Sequence, residues 1–405
     1  MKLDVHMPAQ SDPNLLNDLS SFVQNLSNEI EPHLIEVRRD IHAHPETGFD
    51  VERTAGVVAR ELQSLGIENQ TGVGRTGVVG FIKGGRPGPT LLIRADMDAL
   101  PIEEQTDLPF ASLHPGKMHA CGHDLHTATL IGIGKVLKDI APRLSGNIKL
   151  MFQPAEETQE SGARAMIADG ILDGVDYALG FHNHPDEPTG TFTFVEGVAN
   201  GSSDEFDITV HAASGHAARP HQAVDPIVAT AQLITQLQTI VSREVDPMLA
   251  AVLTIGSIHG GHTHNIIPDS VSIMGTVRCQ DRGARDIIEA AVRRICAGLE
   301  AALRVRCEIN YVRGVPSMVS DSYLIETTGA VIREHYGDVF FKRGGSLGAE
   351  DFALVGERVP SFQLGIGAAQ EGRDDKLHNS DYQPDERCIS NGVVALSLTA
   401  ARILS

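Results

Sequence analysis

The sequence is poor in positive charge. Lys and Arg number 33 against 53 Asp and Glu, a formal net charge of -20. Such a surface repels phosphate backbones, which argues against nucleic-acid binding. Long apolar runs are missing too: no stretch of about 18 apolar residues occurs, so no membrane span is expected. Met1 to Glu31 is polar and carries no apolar h-region, so no secretory leader is expected. Cysteine is scarce and odd in number: Cys121, Cys279, Cys296, Cys307 and Cys388 are loosely spaced. With no leader, that pattern predicts reduced thiols in a cytoplasmic setting. No repeat or low-complexity stretch stands out.

What remains is a globular composition, 41% hydrophobic and 21% charged over 405 residues. That length predicts about two domains. Residues 1–13 read as a mobile tail. Helical spacing runs through Leu15, Leu16, Leu19, Phe22, Val23 and Leu26, and again from Ile30 to Ile41. A further helix is predicted from Val51 to Leu65, with Gly66 as its stop. Strands at 77–82, 89–94, 148–152 and 177–181 alternate with helices at 125–140 and 163–168. This alternation predicts a mostly parallel sheet flanked by helices, an α/β architecture. Between 202 and 314 the rhythm changes to strand, helix, strand, strand, helix, strand, the order of a ferredoxin-like α+β unit. Helices at 322–336 and 387–403 and a strand at 362–366 return to the first pattern. The expected organisation is therefore a discontinuous domain, 14–201 and 315–405, with a smaller module inserted at 202–314.

Chemistry-bearing residues fall at predicted strand ends. In His119-Ala120-Cys121-Gly122-His123-Asp124-Leu125-His126, a thiolate and imidazoles lie close together, a donor set suited to zinc or a similar divalent ion. The bland alternative is a core cysteine beside surface histidines. Gln153-Pro154-Ala155-Glu156-Glu157 sets two carboxylates side by side; like charges at that spacing call for a cation or a proton. One of the pair can ligate while the other accepts a proton from metal-activated water. Phe181-His182-Asn183-His184-Pro185 and Leu377-His378-Asn379-Ser380 add imidazoles. Asp96 and Asp98, in Arg94-Ala95-Asp96-Met97-Asp98, can orient histidine ligands from behind. In the inserted module, His216, Asn265 and Arg278 can donate hydrogen bonds to an oxyanion or a substrate carboxylate.

Together these motifs resemble the co-catalytic metal amidohydrolases related to aminoacylases and glutamate carboxypeptidases. They are most similar to the branch with hippurate hydrolase, N-acyl-amino-acid amidohydrolases, N-acetyl-diaminopimelate deacetylase and auxin-conjugate hydrolases. The resemblance covers nearly all of the chain after residue 30. It includes Arg39-Asp40-Ile41-His42-Ala43-His44-Pro45-Glu46, Arg94 to Pro101, His119 to Asp124, Gln153 to Glu157 and Gly348-Ala349-Glu350-Asp351-Phe352. It implies a metallopeptidase-like domain in which Cys121, His123, Glu157, His182 and His378 bind two divalent ions, with zinc, manganese, nickel and cobalt all open. It implies Glu156 as general base, Asp98 among the catalytic residues, and hydrolysis of N-acyl-L-amino acids of the hippurate or N-acetyl kind. A dipeptidase, carboxypeptidase or deacetylase of the same family is the alternative; a non-catalytic metal-binding dimer is a further one. The insert is implied to be a lid and dimerisation domain of a homodimer, where His216 polarises the scissile carbonyl and Asn265 and Arg278 hold substrate. His184 departs from the family pattern, which has an aromatic such as Trp there.

Overall fold

The computed structural model describes residues 13–405, with side-chain surroundings from Leu19 onward. The expected tail thus lies, apart from Pro13, outside the described residues. The first element is one helix, α1 (Pro13–Ala43), where the spacing suggests two. Pro32 sits inside it, a position that costs about 3 kcal/mol in an isolated helix. Leu19, Val23, Leu34, Val37 and Ile41 line one stripe of α1 and are buried in the main core. That burial, on the order of 2 kcal/mol per large side chain, outweighs the proline.

The chain continues with α2 (Glu52–Ser64), β1 (Glu68–Val73), β2 (Gly77–Lys83), β3 (Arg86–Asp96) and α3 (His123–Ile140). Gly66 follows α2 in the left-handed region, φ 67°, as a helix stop requires. Next come β4 (Ser145–Gln153), α4 (Gly162–Ala168), β5 (Tyr177–Pro188), β6 (Phe192–Phe194) and β7 (Gly197–Asn200). Then follow β8 (Ser202–His211), β9 (Gly215–His216), α5 (Pro226–Arg243), β10 (Ala251–Gly260), β11 (Ile266–Ile267), β12 (Ser270–Cys279), α6 (Arg282–Leu303), β13 (Arg306–Arg313) and β14 (Met318–Ser320). The chain closes with α7 (Ser322–Tyr336), β15 (Phe340–Lys342), α8 (Ala353–Gly356), β16 (Ser361–Ala369) and α9 (Cys388–Ile403).

These elements form two compact units. One holds the described residues through Gly197, with Ser320–Arg343 and Leu354–Ser405; the other holds Val198–Val319 and Gly344–Ala353. The first contains an eight-stranded sheet in the order β1-β2-β4-β3-β5-β16-β6-β15. Its centre, β4-β3-β5-β16, is parallel. The β6–β15 ladder is parallel too, while β1–β2, β2–β4 and β16–β6 are antiparallel, so the sheet is mixed but mostly parallel, as the sequence pattern suggests. The short link from Val73 to Gly77 makes β1 and β2 a hairpin, which can only pair antiparallel. Leu91, Leu92, Ile93 and Ala95 of β3 are all fully buried, as a strand covered on both faces demands. Helix α3 is buried on nearly every side and packs closely against α1 and α9.

In the second unit, the antiparallel order is β10-β12-β8-β13. With the chain order β8-α5-β10-β12-α6-β13, this is the expected ferredoxin-like arrangement. Phe206, Ile208 and Val210 alternate inward from β8 and meet Leu233, Leu237 and Ile240 of α5 and Ile288, Val292 and Leu299 of α6 in a core of their own. Asp225 and Asp281 cap the two helices, accepting hydrogen bonds from Ile227 and Val228 and from Ala284. The Asp281 cap starts α6 at Arg282.

Two glycines in helices make opposite predictions. A Cβ on Gly132 of α3 would lie 2.6 Å from Leu34 Cδ1 and 2.6 Å from Val393 Cγ2, so this glycine lets α1 and α9 approach. Gly132→Val should lower unfolding free energy by about 1–3 kcal/mol. Gly298 of α6 has nothing within 4 Å of its Cβ position; Gly298→Ala should raise it by up to ~1 kcal/mol. Denaturant titration of both variants measures the difference.

Candidate functional site

The site is built where parallel strands end. Asp96, the last residue of β3, pairs with Gln153, the last residue of β4, so the chain leaves both strands at one rim. From β4 it turns through Ala155, whose φ of 52° is strained for a residue with a side chain. The Ala155 amide donates to the Gly48 carbonyl at 3.0 Å, and Gly162 donates to the Ala155 carbonyl at 3.0 Å. Asp98 then holds the next two residues: its carboxylate oxygens accept from the backbone amides of Glu156 (3.0 Å) and Glu157 (3.2 Å). The two adjacent glutamates are thereby aimed by one buried carboxylate.

Cys121 and His123 flank Gly122, which takes φ 87° and precedes the first turn of α3. His123 is buried, and neither ring nitrogen makes a hydrogen bond. Asp98 Oδ1 lies 3.5 Å from its Nδ1 and Asp96 Oδ1 lies 3.7 Å from its Nε2. Burial opposes charge on this ring, yet Asp96 first, and then Cys121, outweigh it and hold the His123 pKa well above its usual value. Burial pushes the Cys121 thiol up, with His123 opposing. A thiolate at this position therefore needs more positive charge than the protein supplies.

His182 lies within β5, whereas the apolar pattern suggests that the strand stops just before it. Its Nδ1 is 2.8 Å from the Asn183 carbonyl, which can only accept, so Nδ1 carries the proton. Nε2 is left as a lone pair 3.5 Å from Cys121 Sγ. Burial first, and then His126, hold the His182 pKa well below the ordinary value, so the ring is neutral. His378 arrives from the loop before α9 with φ 62°. Its amide donates to the Ala120 carbonyl at 2.8 Å, and its Nε2 lies 3.1 Å from Glu157 Oε1. The Glu157 contact raises the His378 pKa, and burial lowers it. For Glu157, burial raises the pKa, but His378 and His123 win and hold it below the usual value.

The structure thus brings together Cys121, His123, Glu156, Glu157, His182 and His378. Donor atoms of Cys121, His123 and His182 lie within 4.8 Å of one another, as do those of Cys121, Glu157 and His378, and those of His123, Glu156 and Glu157. The residues fit a cation: lone pairs and carboxylates converge, and the buried His123 nitrogens have no hydrogen bond. His126 is excluded from this set although it lies near Asp96 and His123. Its Nδ1 donates to Asp96 Oδ1 at 2.6 Å and its Nε2 accepts from the Asn183 amide at 3.0 Å, so both nitrogens are spent.

A second layer of buried polar residues lies behind these donors, and of its members Arg38 falls outside the motifs. Arg38 and His42 of α1 reach Asp124 in the first turn of α3, at 2.7 Å and 2.8 Å. Arg38 also pairs with Glu386 at 3.1 Å. Burial disfavours the Asp124 carboxylate, but Arg38 and His42 hold its pKa well down. His119 is buried with both ring nitrogens lacking partners, and burial pushes it down to about 3. Burial, and then Arg343, push His184 down to about 4. Its ring lies 6.0 Å from that of His182.

The remaining expected residues lie on the second unit. His216 is exposed on β9, paired in register with Ile266 of β11, and Asn265 is exposed beside it, its carbonyl accepting from Ala217 at 3.1 Å. Arg278 is half-buried on β12, opposite Val252 and Ser203. Among the described residues, all five cysteines are free and no helix is long and apolar enough to cross a membrane.

A family model described as peptidase family M20/M25/M40 matches residues 92–402. An N-acetylcysteine deacetylase of Bacillus subtilis is 39% identical over 359 residues, spanning 88% of this chain and 93% of its own. Thermostable carboxypeptidase 1 of Saccharolobus solfataricus is 37% identical over 390 residues, spanning 95% and 99%. A solved Bacillus subtilis structure, described as a dinuclear metal binding peptidase from the M20 family, matches with a TM-score of 0.82 at 35% identity over 93% of this chain and 99% of that one. With its main sheet, its strand-end donor cluster and these likenesses over nearly its whole length, the chain belongs to the peptidase family M20/M25/M40 and is a hydrolase.

Proposed function

We propose that this hydrolase cleaves the amide bond of N-acyl-L-amino acids, with Cys121, His123, Glu157, His182 and His378 holding two divalent ions and Glu156 moving the proton. The observation that carries the reading is the donor cluster with Glu156 in reach of it: His123, Glu156 and Glu157 each place a ligand atom within 4.8 Å of the others. The ligands sum to one thiolate, one carboxylate and three neutral imidazoles. Bound there, the ions supply Lewis acidity toward an amide carbonyl and acidify water. The thiolate favours zinc or nickel among the candidate metals.

Glu156 Oε accepts a proton from water as the new C–O bond forms at the acyl carbon. It returns that proton to the amide nitrogen as the C–N bond breaks, leaving a carboxylate and a free amino acid. Asp98 acts as a positioning residue, because its oxygens touch the Glu156 and Glu157 amides. In this reading the second unit is a lid and dimerisation domain. His216 serves the scissile carbonyl, and Asn265 and Arg278 serve the substrate carboxylate. His184, beside His182, shapes substrate preference. The relative named a carboxypeptidase favours a second reading. A peptide and an N-acyl amino acid share the same acyl–NH–CHR–carboxylate end, so one site can take either.

Glu156→Gln should retain its metal and lose about 10²–10⁴-fold in kcat; turnover near wild type would remove Glu156 as base. Cys121→Ala should lower bound metal, read by elemental analysis after dialysis; unchanged content would exclude the thiolate as a ligand. Hydrolysis of hippurate and N-acetyl-methionine should exceed that of dipeptides and stop with chelator. Faster dipeptide cleavage would make the second reading the correct one.

A further inference from the structure

Asn183 stands between two histidines that the site already accounts for, yet its own side chain is buried at 2% exposure. Both polar atoms of that side chain have partners. Nδ2 donates to the Cys121 carbonyl at 2.8 Å and lies 2.9 Å from His126 Nε2. Oδ1 accepts from the Tyr382 hydroxyl. The amide orientation follows from chemistry: the Cys121 carbonyl can only accept, so nitrogen must face it, and oxygen is left for the Tyr382 hydroxyl. Through its main chain, Asn183 also accepts from His182 Nδ1 at 2.8 Å.

These contacts join three chain segments far apart in sequence. One is the loop with Cys121 and His123, the second is β5 with His182, and the third is the loop that runs from His378 to Tyr382. Tyr382 is itself fully buried, so its hydroxyl has no solvent to fall back on. The junction is tight as well as hydrogen-bonded. A Cβ at position 122 would lie 2.2 Å from Asn183 Nδ2 and 2.9 Å from the Tyr382 hydroxyl.

We infer that Asn183 is a positioning residue, which with Tyr382 locks the three ligand-bearing segments into one arrangement and thereby sets the affinity for the cations. The inference rests on the ligand set proposed above. The partners of metal ligands typically change affinity 10- to 100-fold when removed, and a group that fixes several ligands at once belongs in that range. The role is one of hydrogen-bond polarity, not of volume. Asn183→Asp keeps the shape but sets an oxygen against the Cys121 carbonyl, so it should fail as badly as Asn183→Ala.

The test is zinc affinity of the full-length protein, measured by competition with a chromophoric chelator, beside the melting temperature of the metal-free form. Asn183→Ala and Asn183→Asp should each weaken zinc about 10- to 100-fold. Tyr382→Phe, which keeps the ring and the packing, should weaken it less. Combined with Asn183→Ala, it should add little, because both remove the same lock. Cys121→Ala and His182→Ala serve as the reference for the ligand set. If those two lose zinc while both Asn183 variants bind as wild type, the positioning role is wrong and the ligand set stands. Restored affinity in Asn183→Asp would reduce Asn183 to a space-filling residue and overturn the inference. If Cys121→Ala and His182→Ala bind as wild type, the ligand set itself fails and takes the inference with it.

Discussion

Lone pairs and negative charges repel, and a protein that gathers them in a buried place must restrain each one. Here a thiol, two carboxylates and three imidazoles meet at the rim of one sheet. The restraint comes from groups that never need to meet a substrate. Asp98 grips the Glu156 and Glu157 amides. The Asn183 carbonyl fixes the tautomer of His182. Asp124, held by Arg38 and His42, ties the first turn of α3 to α1. Were any of these loosened, the cluster would lose the geometry that brings its donor atoms within 4.8 Å of one another.

The same constraint explains where the backbone is strained. Ala155 and His378 both adopt positive φ without being glycine. One lies just before the paired glutamates and the other is itself a member of the cluster. Each costs on the order of 1 kcal/mol or more. The surrounding structure over-determines both: Ala155 is pinned through its amide and its carbonyl, and His378 through its amide to Ala120. Strain in these loops is tolerated because the sheet beneath them is rigid and buried.

Much of this was legible in the sequence, and the limits have physical causes. Cys121 and His123 could be read because donors two residues apart across a glycine form a local pattern. Glu156 and Glu157 could be read because adjacent carboxylates after a buried strand are conspicuous. Residue type and spacing alone did not tell His126 from His123, and only the resemblance did: the difference lies in which ring spends its nitrogens on Asp96 and Asn183. Asn183 and Tyr382 are joined across 199 residues, and no periodicity carries such a contact. Arg38, in an ordinary helical run, gives no local sign that it will meet Asp124. In the fold, the long buried strands had clear signatures. Strand β1 did not, because Glu68-Asn69-Gln70-Thr71 is polar and largely exposed at the sheet edge. The two helical runs at 15–26 and 30–41 are one helix, because packing carries α1 through the residues between them.

Gly122 has a consequence for how this chain can drift. Its backbone sits in the left-handed region, and the space where a methyl group would go is already taken by the Asn183 amide and the Tyr382 hydroxyl. A descendant that acquired a side chain at 122 would have to shrink or shift both partners in the same lineage. Any change at position 122 is therefore sterically tied to changes at 183 and 382.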